Sequence, residues 1–210
     1  MPETDVSKFE KKIEVRNIRF EDIDDIMALS KKCFPGMEPW KREQLESHIR
    51  IFPEGQFCVE YEGKVVGSCS SLIVNFDEYE DQHTWDTITA NGYITNHNPH
   101  GLNLYGIEVM IDPEYRRMKF GHRLYEARKE LCRKMNLQSI IIGGRIPNYS
   151  KYKDKMTPRE YVEEVEMHNI YDPVLSFQLL EGFQIMRINR QYLPDDTASA
   201  SFATLMEWHN

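Results

Sequence analysis

Four basic side chains, Arg116, Arg117, Lys119 and Arg123, crowd around Gly121 in the stretch IDPEYRRMKFGHRLYEARKE. A hydrophobic run precedes them, and Leu124, Ala127, Leu131 and Met135 follow at helical spacing. A strand-to-helix turn of this kind exposes backbone N–H groups with the helix dipole behind them. Glycine allows a ligand to approach closely, and arginine adds charge-assisted hydrogen bonds. The combination suits one bound anion.

The segment lacks the GK[ST] ending of a Walker loop, and it is not a GxGxxG dinucleotide turn. The formal net charge is −8, and the rest of the chain is more acidic still, which argues against a nucleic-acid or anionic-membrane surface. Cys33, Cys58, Cys69 and Cys132 have no CxxC spacing and no adjacent histidine, so they read as reduced core residues. His83, His97 and His100, with Asp77, Asp81 and Asp86, match no metal template and read as surface polar residues. No metal is expected.

The elements that position the basic turn follow from periodicity. With 210 residues, 40% of them hydrophobic, residues 1–210 read as a single domain, and 1–11 as a flexible N-terminus. No signal peptide or membrane span is visible, so a cytoplasmic setting is expected. Residues 12–18 alternate as a strand, 19–34 and 41–52 carry helical spacing, and 56–61 with 64–74 form a hairpin through EGK. Residues 75–103 are polar and aromatic without a sustained repeat, a long loop suited to a pocket rim. Strands follow at 104–111 and 137–144, with the helix of the basic turn between them. Thr157 with Pro158, and Asp172 with Pro173, read as two helix starts, and strands at 184–190 and 201–208 complete the chain. The order is β-α-α-β-β-β-α-β-α-β-β.

A hydrophobic strand followed by DPEYRRMKFGHRLYEAR resembles the acetyl-CoA-binding segment of the GNAT N-acetyltransferases, whose pattern is [QR]xxGx[GA] followed by a helix. Arg116 takes the first position and Gly121 the last, while Lys119 stands where the family has its middle glycine. The element order resembles the family's over almost the whole chain, and DPVLSFQLLEGF resembles its late helix ending in GF. The resemblance implies an α/β (α+β) GNAT acyl-CoA N-acyltransferase fold, a mixed, mostly antiparallel seven-stranded sheet flanked by helices. FEDIDDIMALSKKCFPGMEPWKREQLESH, YGIEVMIDPEYRRMKFGHRLYEARK and IIIGGRIPNY further resemble the acetyltransferase half of bacterial proteins that fuse this domain to a carbon–nitrogen hydrolase (nitrilase-like) domain.

The resemblance implies transfer of an acetyl group from acetyl-CoA to a primary amine by direct attack. It assigns Val109, Met110 and Ile111 to the pantetheine, and Arg116, Arg117, Met118, Lys119, Phe120, Gly121, His122 and Arg123 to the pyrophosphate. Glu108 becomes the first candidate for the base. Gln178 occupies the position where the family often has a tyrosine acid, and Tyr171 or Tyr149 could substitute. Two alternatives stay open: a regulatory module that binds acyl-CoA and controls a partner such as a nitrilase-like hydrolase, and an interaction domain that pairs an edge strand across a homodimer.

Overall fold

The computed structural model describes Glu10, residues 12–79 and residues 81–210. Apart from Glu10, the N-terminal segment 1–11 lies outside the described residues. Seven strands form one mixed sheet in the order β1-β2-β3-β4-β5-β7-β6, flanked by helices, as the resemblance implies. Contacts gather the chain into two compact units, residues 1–71 with 108–131, and residues 72–107 with 132–210.

The first unit contains β1 (Ile13–Asn17), α1 (Ile23–Cys33), α2 (Arg42–Ile51) and β2 (Phe57–Tyr61). It also holds most of β3 (Lys64–Val74), the end of β4 (Asn103–Ile111) and most of α4 (Phe120–Lys134). β1 and β2 pair antiparallel, as do β2 and β3. The β2–β3 hairpin turns on Glu62 and Gly63, both at positive φ, the conformation that a two-residue turn needs to match strand twist. Phe120 and Leu124 of α4 pack with Val59, Val66 and Cys69 to form the core. Beyond its first residue β3 is buried throughout, so its Ser68, Ser70 and Ser71 hydroxyls must find partners inside the protein.

The second unit contains α3 (Trp85–Thr89), β5 (Ser139–Arg145), α5 (Pro158–Glu166), α6 (Leu175–Leu180), β6 (Gln184–Asn189) and β7 (Ala203–His209). β5 pairs antiparallel with β7 along its whole length, from Ser139↔His209 to Arg145↔Ala203. Its parallel pairing with β4 is shorter, running from Asn103↔Ser139 only to Gly106↔Ile142. Both expected caps are present. Thr157 and Glu160 form a capping box on α5, and Asp172 Oδ1 accepts from the Val174 and Leu175 N–H groups at 2.9 and 3.0 Å. The expected order counted one helix between β5 and β6, whereas both capped segments form helices. α3 is an addition inside the long loop; at five residues it is too short to display a repeat, and Thr84 caps it.

Candidate active site

In the first unit, β4 runs into the basic turn through Asp112, which accepts from Glu114 N at 3.1 Å and pairs with Lys32 of α1 at 3.1 Å. Arg116, Arg117, Lys119 and His122 are exposed, as an anion site requires. Arg117 and Lys119 have φ of +68° and +61°. The family's middle glycine is thus replaced by a lysine in the left-handed conformation, at about 1–2 kcal/mol for each such residue. Met118 and Phe120 turn their side chains into the core with Val109 and Ile111, and Met110 is buried, so these residues offer a ligand their backbone groups. Arg123 meets the Glu10 carboxylate, with both oxygens 2.6 Å from Nη2. A carboxylate therefore already holds one of the expected pyrophosphate ligands.

Glu108 sits on β4 before this turn. The Ser68 and Ser70 hydroxyls donate to its Oε1 at 3.3 and 3.4 Å, while its buried Oε2 has no hydrogen-bond partner. The residue as a whole is half-buried, but the carboxyl is shut away from water, and desolvation lifts its pKa to about 8. The nearby Arg128 guanidinium and the two serines oppose that rise without cancelling it. A carboxyl poised near neutrality suits proton transfer. Cys33 Sγ donates to the Ile111 carbonyl at 3.2 Å, and burial raises its pKa to about 11, so it rests as a thiol.

In the second unit, Gly143 and Gly144 of β5 follow the last residue paired with β4, in Gly106↔Ile142. A Cβ on Gly143 would lie 2.3 Å from the Tyr192 hydroxyl, and one on Gly144 would lie 2.1 Å from Gln178 Oε1. The glycine pair lets two side chains reach the strand from opposite faces. Gln178 is thus inside, but with an amide where the family often has a phenol. Tyr171 is 71% exposed. Tyr149 is buried and its hydroxyl donates to the Met156 carbonyl at 3.2 Å.

The histidine reading needs correction. His83 is buried, 4% exposed, and its Nε2 lies 3.2 Å from the Tyr105 hydroxyl, which lies 2.7 Å from that of Tyr192. His97 Nδ1 accepts from the Ile73 N–H at 3.1 Å, and His100 alone of the three is exposed. A loop without periodicity gives no sign of which polar residues fold inward. Trp85 donates from Nε1 to the Ile107 carbonyl at 3.3 Å and from its backbone to the Tyr192 carbonyl at 2.9 Å, tying that loop to β4 and to the segment after β6. Neither Tyr192 nor Tyr105 stood out in the sequence. The signal that points to Tyr192 is the adjacent glycine pair in a buried strand.

Residues 23–151 match the family model described as Acetyltransferase (GNAT) family. The chain is 40% identical to the Bacillus subtilis (strain 168) protein called Uncharacterized N-acetyltransferase YkwB, over 98% of this chain and 92% of that one. The chain belongs to the GNAT acetyltransferase family. Its seven-stranded sheet with flanking helices is that of a GNAT domain, and acetyl-CoA or coenzyme A is the family's cosubstrate. Another relative, Probable hydrolase YhcX of the same organism, is 70% identical over 98% of this chain but only 40% of its own length, so this chain spans less than half of that protein. Among solved structures, the loading GNATL domain of CurA from Lyngbya majuscula superposes with a TM-score of 0.83 at 24% identity, covering 94% of this chain and 97% of that one. At that identity the likeness speaks for the GNAT fold. Among the described residues no helix is long and apolar enough to cross a membrane.

Proposed function

We propose that this GNAT domain transfers an acetyl group from acetyl-CoA to a primary amine on a small molecule or peptide by direct attack. The observation that carries the reading is Glu108, a buried carboxyl with an open Oε2 and a pKa of about 8, on the strand that leads into the basic turn. Backbone groups of Val109, Met110 and Ile111 bind the pantetheine. The turn from Arg116 to Gly121, with His122 and Arg123, takes the pyrophosphate, and Glu108 accepts the proton of the attacking amine. The four free cysteines accord with a reducing, cytoplasmic setting. The similarity to a longer protein named as a hydrolase supports a hydrolase partner, fused or separate.

A second reading rests on Gln178. With an amide in place of the usual acid, the domain would bind acyl-CoA and regulate its partner with little turnover. Calorimetric titration with acetyl-CoA, on the parent and on Gly121→Glu, followed by an amine panel, separates the readings. Binding lost in the variant together with turnover by the parent supports the first. Binding without turnover supports the second, and no binding by the parent ends both.

A further inference from the structure

Ser68 and Ser70 stand two residues apart on β3 and therefore on one face of the strand. The other face turns toward α4, where Cys69 packs with Phe120 and Leu124, and the Ser71 hydroxyl accepts from Arg128 Nε at 3.1 Å. β4 alternates in step. Val109 and Ile111 pack with the α4 core, which leaves Glu108 on the side of Ser68 and Ser70. Gly67 lets the two strands approach closely, since a Cβ there would lie 2.8 Å from the Met110 carbonyl oxygen. All of these residues belong to the first unit.

Both hydroxyls reach the same atom. Ser68 Oγ lies 3.3 Å and Ser70 Oγ 3.4 Å from Glu108 Oε1, and this oxygen is the only hydrogen-bond partner of either hydroxyl among the described residues. Oε2 is buried and has none. The serines are 0% and 1% exposed, and a buried hydroxyl without an acceptor is costly. They therefore keep Oε1 as their acceptor in both protonation states, and a proton on the carboxyl must sit on Oε2. Three other titratable or charged groups lie within electrostatic reach: Arg128 from α4, Cys33 from α1 and Cys69 from β3. The guanidinium keeps its charge, and burial raises both thiols to about 11. Glu108, at about 8, is the member of this cluster that titrates near neutrality.

We propose that Ser68 and Ser70 are positioning residues that clamp Glu108 by Oε1 and reserve Oε2 for the proton of the attacking amine. The proposal rests on the acetyltransferase reading above. Nitrogen bonds to the acetyl carbon, the carbon–sulfur bond breaks with its electron pair left on sulfur, and one amine proton passes to Oε2. The two hydroxyls stay on Oε1 throughout, so the carboxyl does not turn between taking the proton and releasing it to solvent. At 3.3 and 3.4 Å both bonds are long, and a carboxylate draws its donors closer than a neutral acid does. The clamp is therefore firmest in the ionised form, the one that acts as base.

Carboxyl-carbon NMR on protein labelled in its glutamates reads the Glu108 titration without any substrate, and Glu108→Gln identifies the signal. Ser68→Ala, Ser70→Ala and the double variant are compared with the parent. Hydrogen bonds to the charged form lower a carboxyl pKa, so their loss raises it, and the double variant should titrate about one unit higher. On an amine that the parent acetylates, the acid limb of kcat/KM should move up with the titration. The limiting kcat on its alkaline side should fall about tenfold, because the freed carboxyl turns. A merely structural role would leave that limit unchanged. An unchanged titration, or a raised one with an unchanged limiting kcat, overturns the proposal and leaves the acetyltransferase reading standing. A parent that acetylates no amine overturns both. If the double variant does not fold, the single variants decide: a raised titration with a lowered limiting kcat in either supports the clamp, and parental values in both refute it.

Discussion

Arg128 Nη2 donates to the main-chain carbonyl of Glu108 at 2.9 Å, so this guanidinium holds the strand rather than the carboxylate beside it. Its other bonds go to the Ser70 carbonyl at 3.0 Å and the Ser71 hydroxyl at 3.1 Å. At 1% exposure it is among the largest fully buried side chains in the protein. It thus joins α4 to β3 and β4 at the level of the candidate base. Arg128→Met preserves much of the volume but strands two carbonyls and a hydroxyl. The expected loss is about 3 kcal/mol, read as a lowered urea midpoint at unchanged m-value. A midpoint within error of the parent would mean that water replaces the guanidinium.

Glu108 makes stability depend on pH in a definite direction. Its folded pKa of about 8 lies above its ordinary 4.5, so between those values the folded chain keeps a proton that the unfolded chain has lost. Stability therefore falls as pH rises through that window, is undiminished below it, and bears the full penalty above it. Glu108→Gln removes the titration. The variant should match the parent near pH 4, exceed it by about 4–5 kcal/mol at pH 9, and lack the parent's rise in activity through pH 8. Parallel stability curves in urea titrations at both pH values would place the folded carboxyl at an ordinary value.

The sequence disclosed elements whose pattern is local. The 64–74 strand, the Thr157 and Asp172 caps, and the basic turn all rest on neighbours within a few residues, and each is found where expected. The candidate base was legible only through the family resemblance, because the serines that face Glu108 lie 38 and 40 residues away. The His83–Tyr105–Tyr192 chain joins residues 22 and 87 positions apart across a loop without periodicity. Nothing local marks such a chain except the two glycines that make room for it.

Lys119 tests the backbone of the basic turn apart from its charge. At φ +61° a β-branched residue is strongly disfavoured, whereas glycine is at ease. Lys119→Ile should lower stability by about 1–2 kcal/mol, and Lys119→Gly should melt at or slightly above the parent. Differential scanning calorimetry on both variants reads the difference directly. Equal melting temperatures for the two would show that the turn adopts another conformation once lysine is gone.

On the proposed reading, Glu10 competes with the cosubstrate for Arg123. The pair is partly exposed, 31% for Arg123 and 47% for Glu10, so it contributes about 1 kcal/mol at most. A pyrophosphate that uses Arg123 must first displace this carboxylate, and that cost appears in the affinity. Glu10→Gln should therefore tighten acetyl-CoA binding by up to about fivefold at low ionic strength. The gain should shrink as salt screens the pair, because both groups lie near solvent. Calorimetric titrations of parent and variant at two salt concentrations check both parts. Unchanged affinity at low salt would mean that the pyrophosphate binds without Arg123, leaving the exposed Arg116, Arg117 and Lys119 to neutralise it.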